Sequence, residues 1–467
     1  MHASSQSQTK RSQVTRRGFL SRLGAASSGG AILAVTSSAR ADATASAKAD
    51  PIVADVLVVG GGTAGTIAAI QAGRLGARTV LVEVGSQLGG TTSTAGVDFP
   101  GLFHAWGRQV IAGIGWELVQ ETARLNGDQL PDFTVPVGRQ HWRHQVRICG
   151  ALYAVLAEEA CLKAGVQLRH YEFPLAVEED ADGWKTVLAG KGTRVEIRTR
   201  QIVDCSGDAS VVGLLGLPRR REAVIQPGTL IYRLGGWRID RNDSKVFDAL
   251  QAKADEAVRE GRLLDTDFNG NLRSYLAAGG QNAMHVPGAD SSSSVAHTRT
   301  NSRGRQSFLR MLRFLKSQPG FENLRVERLQ PETGVRETYR IYGETTVTRD
   351  DYVSGRLFPD AVAYSFYPID LHEGRGVRPE PLAAGVVPVV PLGALIPKGV
   401  RNLLVAGRCL SSDRLANSAL RVQASCMAMG QAAGAAAALA ARYGATAPPL
   451  ERIRQALTDH GAVVPSV

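Results

Sequence analysis

Val56-Leu57-Val58-Val59-Gly60-Gly61-Gly62-Thr63-Ala64-Gly65 is the decisive stretch of this 467-residue sequence. Four consecutive aliphatic residues read as a buried strand, and Gly60, Gly62 and Gly65 follow it with GxGxxG spacing. A helical pattern from about Ala64 to Leu75 and a second apolar run, Thr79 to Glu83, complete a βαβ unit. In such a unit the first glycine permits the turn, the second lets a diphosphate approach the backbone, and the third lets the helix pack closely on the strand. Thr63 and Ala64 open the helix, where unpaired N–H groups and about half a positive charge from the aligned peptide dipoles stabilise phosphate without a basic side chain. Glu83 ends the second strand 18 residues after Gly65, close to the roughly 20 expected of an acid that accepts from a ribose 2′-hydroxyl. The spacing predicts an adenine dinucleotide with a free adenosine ribose.

Beyond this unit, a long helical pattern from about Trp142 to Ala164 leads through Gly165 into short alternating segments: Val166 to Tyr171, Ala176 to Glu179, Lys185 to Ala189 and Val195 to Thr199. These predict a change to antiparallel strands. Residues 216–390 are irregular, with a serine tract at Ser291 to Ser294 and a basic amphipathic helix around Gln306 to Lys316. Nucleotide-type patterning returns at Leu403-Leu404-Val405-Ala406-Gly407, a strand closing on a glycine turn, and in the alanine-rich run Arg421 to Arg442, a buried helix.

Composition narrows the function classes. Apolar residues make up 44% and charged residues 21%, which fits neither a disordered chain nor a multi-span membrane protein. Glycine is in excess, with 51 residues, and suits a ligand held by main chain. Six of the eleven surplus positive charges lie in residues 1–41 (Lys10, Arg11, Arg16, Arg17, Arg22 and Arg40, with no acid), leaving +5 for the remainder. No basic run interleaved with aromatics is present, so nucleic acid is not an expected partner. The five cysteines have no CxxC pair, and no metal site is expected; the spacing leaves a Cys409–Cys426 bridge open. Thr15-Arg16-Arg17-Gly18-Phe19-Leu20, the mildly apolar Leu23 to Val35 and Ala39-Arg40-Ala41 read as a twin-arginine export signal, followed by a linker at 42–51. The apolar stretch is shorter than the roughly 20 residues that span a bilayer, so no stable membrane span is expected. The predicted location is periplasmic or secreted.

A second close-approach loop, Gly89-Gly90-Thr91-Thr92, follows Glu83. At this point the sequence resembles the FAD-dependent oxidoreductases of glutathione-reductase-like fold, distantly similar to the fumarate reductase and succinate dehydrogenase flavoproteins. Ile202-Val203-Asp204-Cys205-Ser206-Gly207-Asp208 resembles the family strand ending in an Ala-Thr-Gly-Asp turn that passes near the cofactor. Leu403 to Arg408, Ser418-Ala419-Leu420-Arg421-Val422 and Cys426 to Gly434 resemble its last FAD-binding strand and helix. The resemblance implies an α/β fold: a Rossmann-like three-layer FAD-binding domain, with a parallel sheet and an antiparallel three-stranded crossover, carrying an inserted α+β substrate domain. The implied division is 52–215 and 391–445 for the FAD-binding parts, 216–390 for the substrate or cap domain, and 446–467 for a C-terminal tail. It also places Gly207, Asp208, Gly407, Arg408, Leu420, Arg421 and Val422 at the cofactor. The final helix start would favour negative charge on reduced flavin. Thr91, Thr92, Ser93 and Thr94 stand where covalent flavoproteins carry a histidine, so the implied FAD is non-covalent.

The implied activity is hydride transfer between FAD and a small-molecule substrate; the alternative is a subunit that passes electrons to a partner protein or a quinone. His372, after a Tyr-Pro-Ile-Asp run, and His104, just after the flavin loop, are rival candidates for the proton-transfer group. Arg336 and Arg340 are candidates for orienting an anionic or hydroxylated substrate, with pairing to acids such as Glu337 as the competing role.

Overall fold

The apolar run at Ile52–Val59 forms strand β1, Thr63–Arg74 forms helix α1 and Thr79–Glu83 forms β2. In this computed structural model the described residues are 51–466 apart from 240–242, 374–375, 378 and 445–447. The export signal and all but the last residue of the 42–51 linker therefore lie outside the described residues. Helices α2 (Ile114–Asn126) and α3 (Gly150–Lys163) precede β3 (Gln167–His170), β4 (Glu172–Asp180), β5 (Gly183–Gly190) and β6 (Thr193–Asp204). Then come β7 (Thr229–Gly235), α4 (Ser244–Arg259), α5 (Ser294–Lys316), β8 (Arg325–Gly334), β9 (Leu403–Val405), α6 (Arg414–Leu420) and α7 (Gln423–Tyr443).

The parallel sheet runs β3–β2–β1–β6–β9. Only the last three residues of β6 pair with β9, while its first half pairs antiparallel with β5, which in turn pairs with β4. One long strand thus serves both the sheet and the three-stranded meander. Strand alternation sorts the two faces. Val56, Val58, Leu81, Val203 and Leu404 join the core formed with α1 and α7. Leu57, Val59, Val80, Val82, Ile202 and Leu403 join the core formed with Trp184 and Leu188 of β5. The result is the three-layer α/β arrangement expected from the sequence.

Two details differ from the periodicity. The helix expected over Trp142 to Ala164 is divided into a short turn at His141–His144 and α3, because Val146 is drawn into a bridge with Gly101. Gln167–His170, expected among the antiparallel segments, pairs parallel with β2, since the α3 crossover returns the chain alongside it. A separate hydrophobic core is formed by residues between Leu230 and Val335, and residues between Val347 and Leu395 pack into the core of the helical face. All five cysteines are free thiols, Cys409 and Cys426 included.

Helix α7 is long and apolar enough to cross a bilayer, with a mean hydropathy of 1.3, yet 94% of that window is buried. Its partner is α1. A Cβ at Gly430 would lie 2.3 Å from the Ala64 carbonyl oxygen, and one at Gly434 would lie 2.2 Å from that of Ala68. The two glycines, one helical turn apart, let the backbones touch. We expect Gly430→Leu to cost about 3 kcal/mol or more through overpacking; an unchanged urea midpoint would refute this contact.

Candidate functional site

The three glycine turns converge at the start of α1. Gly60 has φ +97°, and a Cβ there would meet the Cys205 carbonyl oxygen at 2.7 Å. At Gly65 a Cβ would stand 1.8 Å from the Gly60 carbonyl oxygen. Gly62 differs from both, because nothing among the described residues lies within 4 Å of its Cβ position. The helix ladder begins with the Thr66 N–H to the Gly62 carbonyl at 3.0 Å, so Thr63, Ala64 and Gly65 have no intrahelical acceptor. Open space in front of free N–H groups fits a diphosphate.

The Gly89-Gly90 loop folds over this turn. Gly89 and Gly90 have φ +98° and +52°, Gly62 bridges Gly89, and a Cβ at Gly90 would be 2.9 Å from Gly62 Cα. The Thr91 carbonyl accepts from Val97 N–H at 2.9 Å. Thr63 Oγ1 lies 3.3 Å from Thr92 Oγ1, which donates to Gln423 Oε1 at 2.8 Å, and Gln423 Nε2 donates to the Val97 carbonyl at 2.8 Å. This chain ties the α1 start to the first residue of α7.

Glu83 accepts from Gly61 N–H at 2.7 Å and Gly85 N–H at 2.6 Å. Burial raises its pKa, opposed by those two bonds, and each carboxylate oxygen retains a lone pair for a further donor. We expect Glu83→Ala to raise the FAD dissociation constant about 10- to 100-fold, the worth of a hydrogen bond to a charged group. Titration of apoprotein by flavin fluorescence checks this, and an unchanged constant would remove Glu83 from the site.

At the far side, Gly407 (φ +96°) leaves only 3.4 Å between a Cβ and the Cβ of Ala64. Arg408 is committed to protein: it donates to the Gly207 carbonyl at 2.8 Å, Asp208 Oδ1 at 2.9 Å, Ser291 Oγ at 2.9 Å and the Val335 carbonyl at 3.1 Å. Thr338 and Ser291 also donate to Asp208 Oδ1. The Gly207-Asp208 turn is thereby clamped.

A family-wide sequence profile described as FAD dependent oxidoreductase matches residues 55–457. The chain belongs to that family. Its cofactor is accordingly FAD. A geranylgeranyl bacteriochlorophyll reductase-like protein from Thermoplasma acidophilum is 14% identical, with a TM-score of 0.39 over 87% of this chain and 83% of that one. p-Nitrophenol 4-monooxygenase PnpA from Pseudomonas putida DLL-E4 is 13% identical, with a TM-score of 0.38 over 88% and 85%. OxyS anhydrotetracycline hydroxylase from Streptomyces rimosus is 20% identical with a TM-score of 0.28, and the oxidoreductase spans only 41% of its length.

Near the α7 start, the oxidoreductase gathers a polar cluster from distant segments. Leu420 is the buried last residue of α6, Arg421 and Val422 join it to α7, and the Ala424 N–H is taken by the Pro100 carbonyl at 2.8 Å. Arg421 donates to the Asp370 carbonyl at 3.2 Å and lies 3.6 Å from its carboxylate, while its buried Nε has no partner among the described residues. Asp370 Oδ2 is 3.2 Å from His372 Nε2, and His372 Nδ1 is 3.2 Å from His285 Nε2. The His372 N–H donates to Gln226 Oε1. Arg336, which donates to the Pro227 carbonyl at 2.6 Å, faces the same group.

Burial lowers the His372 pKa to about 4, with Arg336 and Arg421 pushing the same way and Asp370 opposing. Burial works against ionisation of Asp370, but His372, Arg421 and Arg336 together hold its pKa below the usual value. Arg336 itself is lowered to about 9 by burial and by Arg421.

The other candidates stand elsewhere. Arg340, 2% exposed, is paired with Glu222 and lies 3.7 Å from Glu337, so its guanidinium holds carboxylates of the protein. His104 stacks on Phe133 at 3.7 Å between ring centroids and meets Trp116 edge-on; burial and nearby His144 lower its pKa to about 4. The structure thus brings His372, Arg336 and Arg421 together and gives Arg340 and His104 other settings. Asp370, His285 and Gln226 were not singled out from the sequence. Asp370 and His372 carried a signal, since i and i+2 positions of an extended run share a face; His285 and Gln226 carried none.

Proposed function

We propose that this oxidoreductase is exported and moves a hydride between a small organic substrate and non-covalently held FAD, with the Asp370–His372–His285 chain handling the proton. The observation that carries this reading is that buried chain, seated between two arginines beside the α7 start. Bound flavin supplies the two-electron chemistry. The Asp370 carboxylate accepts from His372 Nε2–H, which fixes the tautomer and leaves Nδ1 as the acceptor for His285 Nε2–H. A proton released by substrate therefore enters at His285 and passes to His372 Nδ1, and Asp370 stabilises the resulting charge. Arg336 and Arg421 favour an alkoxide as the hydroxyl loses its proton.

Anaerobic mixing with sugars, alcohols, amines and unsaturated acids tests the reaction. Bleaching of the flavin by one class alone supports it. Bleaching only after a redox partner protein is added would replace it with electron transfer to that partner. For export, we expect changing Arg16 and Arg17 together to Lys to retain the protein in the cytoplasm, read by cell fractionation; normal extracytoplasmic activity would refute that part.

A further inference from the structure

A cavity of about 1040 Å³ opens between the 233–283 segment and a wall containing Phe99, Gln145, Arg147 and Tyr367. It is at the upper end of the range of small-molecule sites, about 300–1,000 Å³. Tyr367 joins it to the proton-handling cluster, being three residues from Asp370 and packed about 4 Å from the Cβ position of Gly101, which itself abuts Val422. From these walls we infer that the substrate is a polyhydroxylated carboxylate, a sugar acid. The inference rests on the reading of the Asp370–His372 cluster as the reaction centre.

Three features carry it. Phe99, Trp237 and Tyr367 supply aromatic faces, against which the C–H face of a pyranose packs without presenting an unsatisfied polar group. Between them the lining is rich in carboxamides, which can both donate and accept and so match vicinal hydroxyls. Gln145 and Asn282 are among them. The third feature is charge. Arg147 lies over the Phe99 ring at 5.4 Å and pairs with no carboxylate among the described residues. Glu327, the acid in the same cavity, is already held by Arg233 at 3.3 Å and Arg325 at 3.1 Å. The uncompensated charge is a guanidinium, whose planar fork suits a carboxylate.

The test is calorimetric titration of the FAD-loaded protein with galacturonate, galactose and 4-hydroxybenzoate, run alongside anaerobic flavin bleaching by the two sugars. We expect galacturonate to bind most tightly and to bleach the flavin. Arg147→Met should weaken galacturonate at least tenfold and change galactose less than twofold, while Gln145→Leu should weaken both sugars, with FAD content unchanged in each variant. Equal affinity for galacturonate and galactose in the unaltered protein, or no effect of Arg147→Met, would overturn the inference. Binding of 4-hydroxybenzoate, with neither sugar bound, would overturn the sugar-acid class and leave the oxidoreductase reading standing. Galacturonate binding without bleaching would uphold the ligand class and overturn the placement of the reaction beside this cavity.

Discussion

Gly62→Val is expected to give a folded, colourless protein. The Gly62 backbone has φ −68° and ψ −171°, a conformation valine adopts, and its Cβ position is free of neighbours among the described residues. The apoprotein should therefore unfold within about 1 kcal/mol of unaltered apoprotein. The branched side chain would fill the space in front of the Thr63 and Ala64 N–H groups, so FAD binding should fall below detection. Gly65→Leu makes the contrast. Its Cβ would sit 1.8 Å from the Gly60 carbonyl, which forces β1 and α1 apart, and we expect that variant to be insoluble. The pair separates a ligand space from a packing contact at two glycines of one motif. Full flavin occupancy in soluble Gly62→Val would contradict the first assignment, and a stable Gly65→Leu the second.

His372→Gln is expected to lower kcat by about 10²- to 10⁴-fold, the usual worth of a positioned proton carrier, with FAD content unchanged. The same variant should alter the response to acid. Free imidazole titrates near 6.5, whereas burial holds His372 near 4, so the unfolded chain takes up the proton first as pH falls. The stabilisation is complete above about pH 6.5 and is lost progressively toward pH 4, by up to about 3 kcal/mol. In the variant this part of the acid loss should disappear, as should the acid limb of kcat near pH 4. An unchanged kcat, or an acid limb that survives the substitution, would remove His372 from the proton path.

How far the sequence reveals these features depends on whether the interaction is local. The β1–α1–β2 unit is visible because strand, turn and helix each follow from neighbouring residues, and the glycines mark where a side chain cannot stand. The contact of Gly430 with Ala64 is not visible, since it joins residues far apart in the chain. The polar cluster around His372 is hidden for the same reason: Gln226, His285, Asp370 and Arg421 meet only when separate segments fold against α7. Arg340 shows the converse. Its sequence setting offers substrate orientation or pairing with an acid such as Glu337, and it is Glu222, which has no pattern linking it to Arg340, that takes up most of that charge. His104 likewise follows the flavin loop in sequence and turns instead into the aromatic packing of Phe133 and Trp116.

A crystal structure of the FAD-loaded protein tests the placement of the dinucleotide most directly. The diphosphate oxygens should lie within hydrogen-bonding distance of the backbone N–H groups at Thr63 and Ala64, with the adenosine ribose beside Glu83 and the flavin ring toward Arg421. A diphosphate bound away from the start of α1, with the space before Gly62 filled by protein, would contradict it.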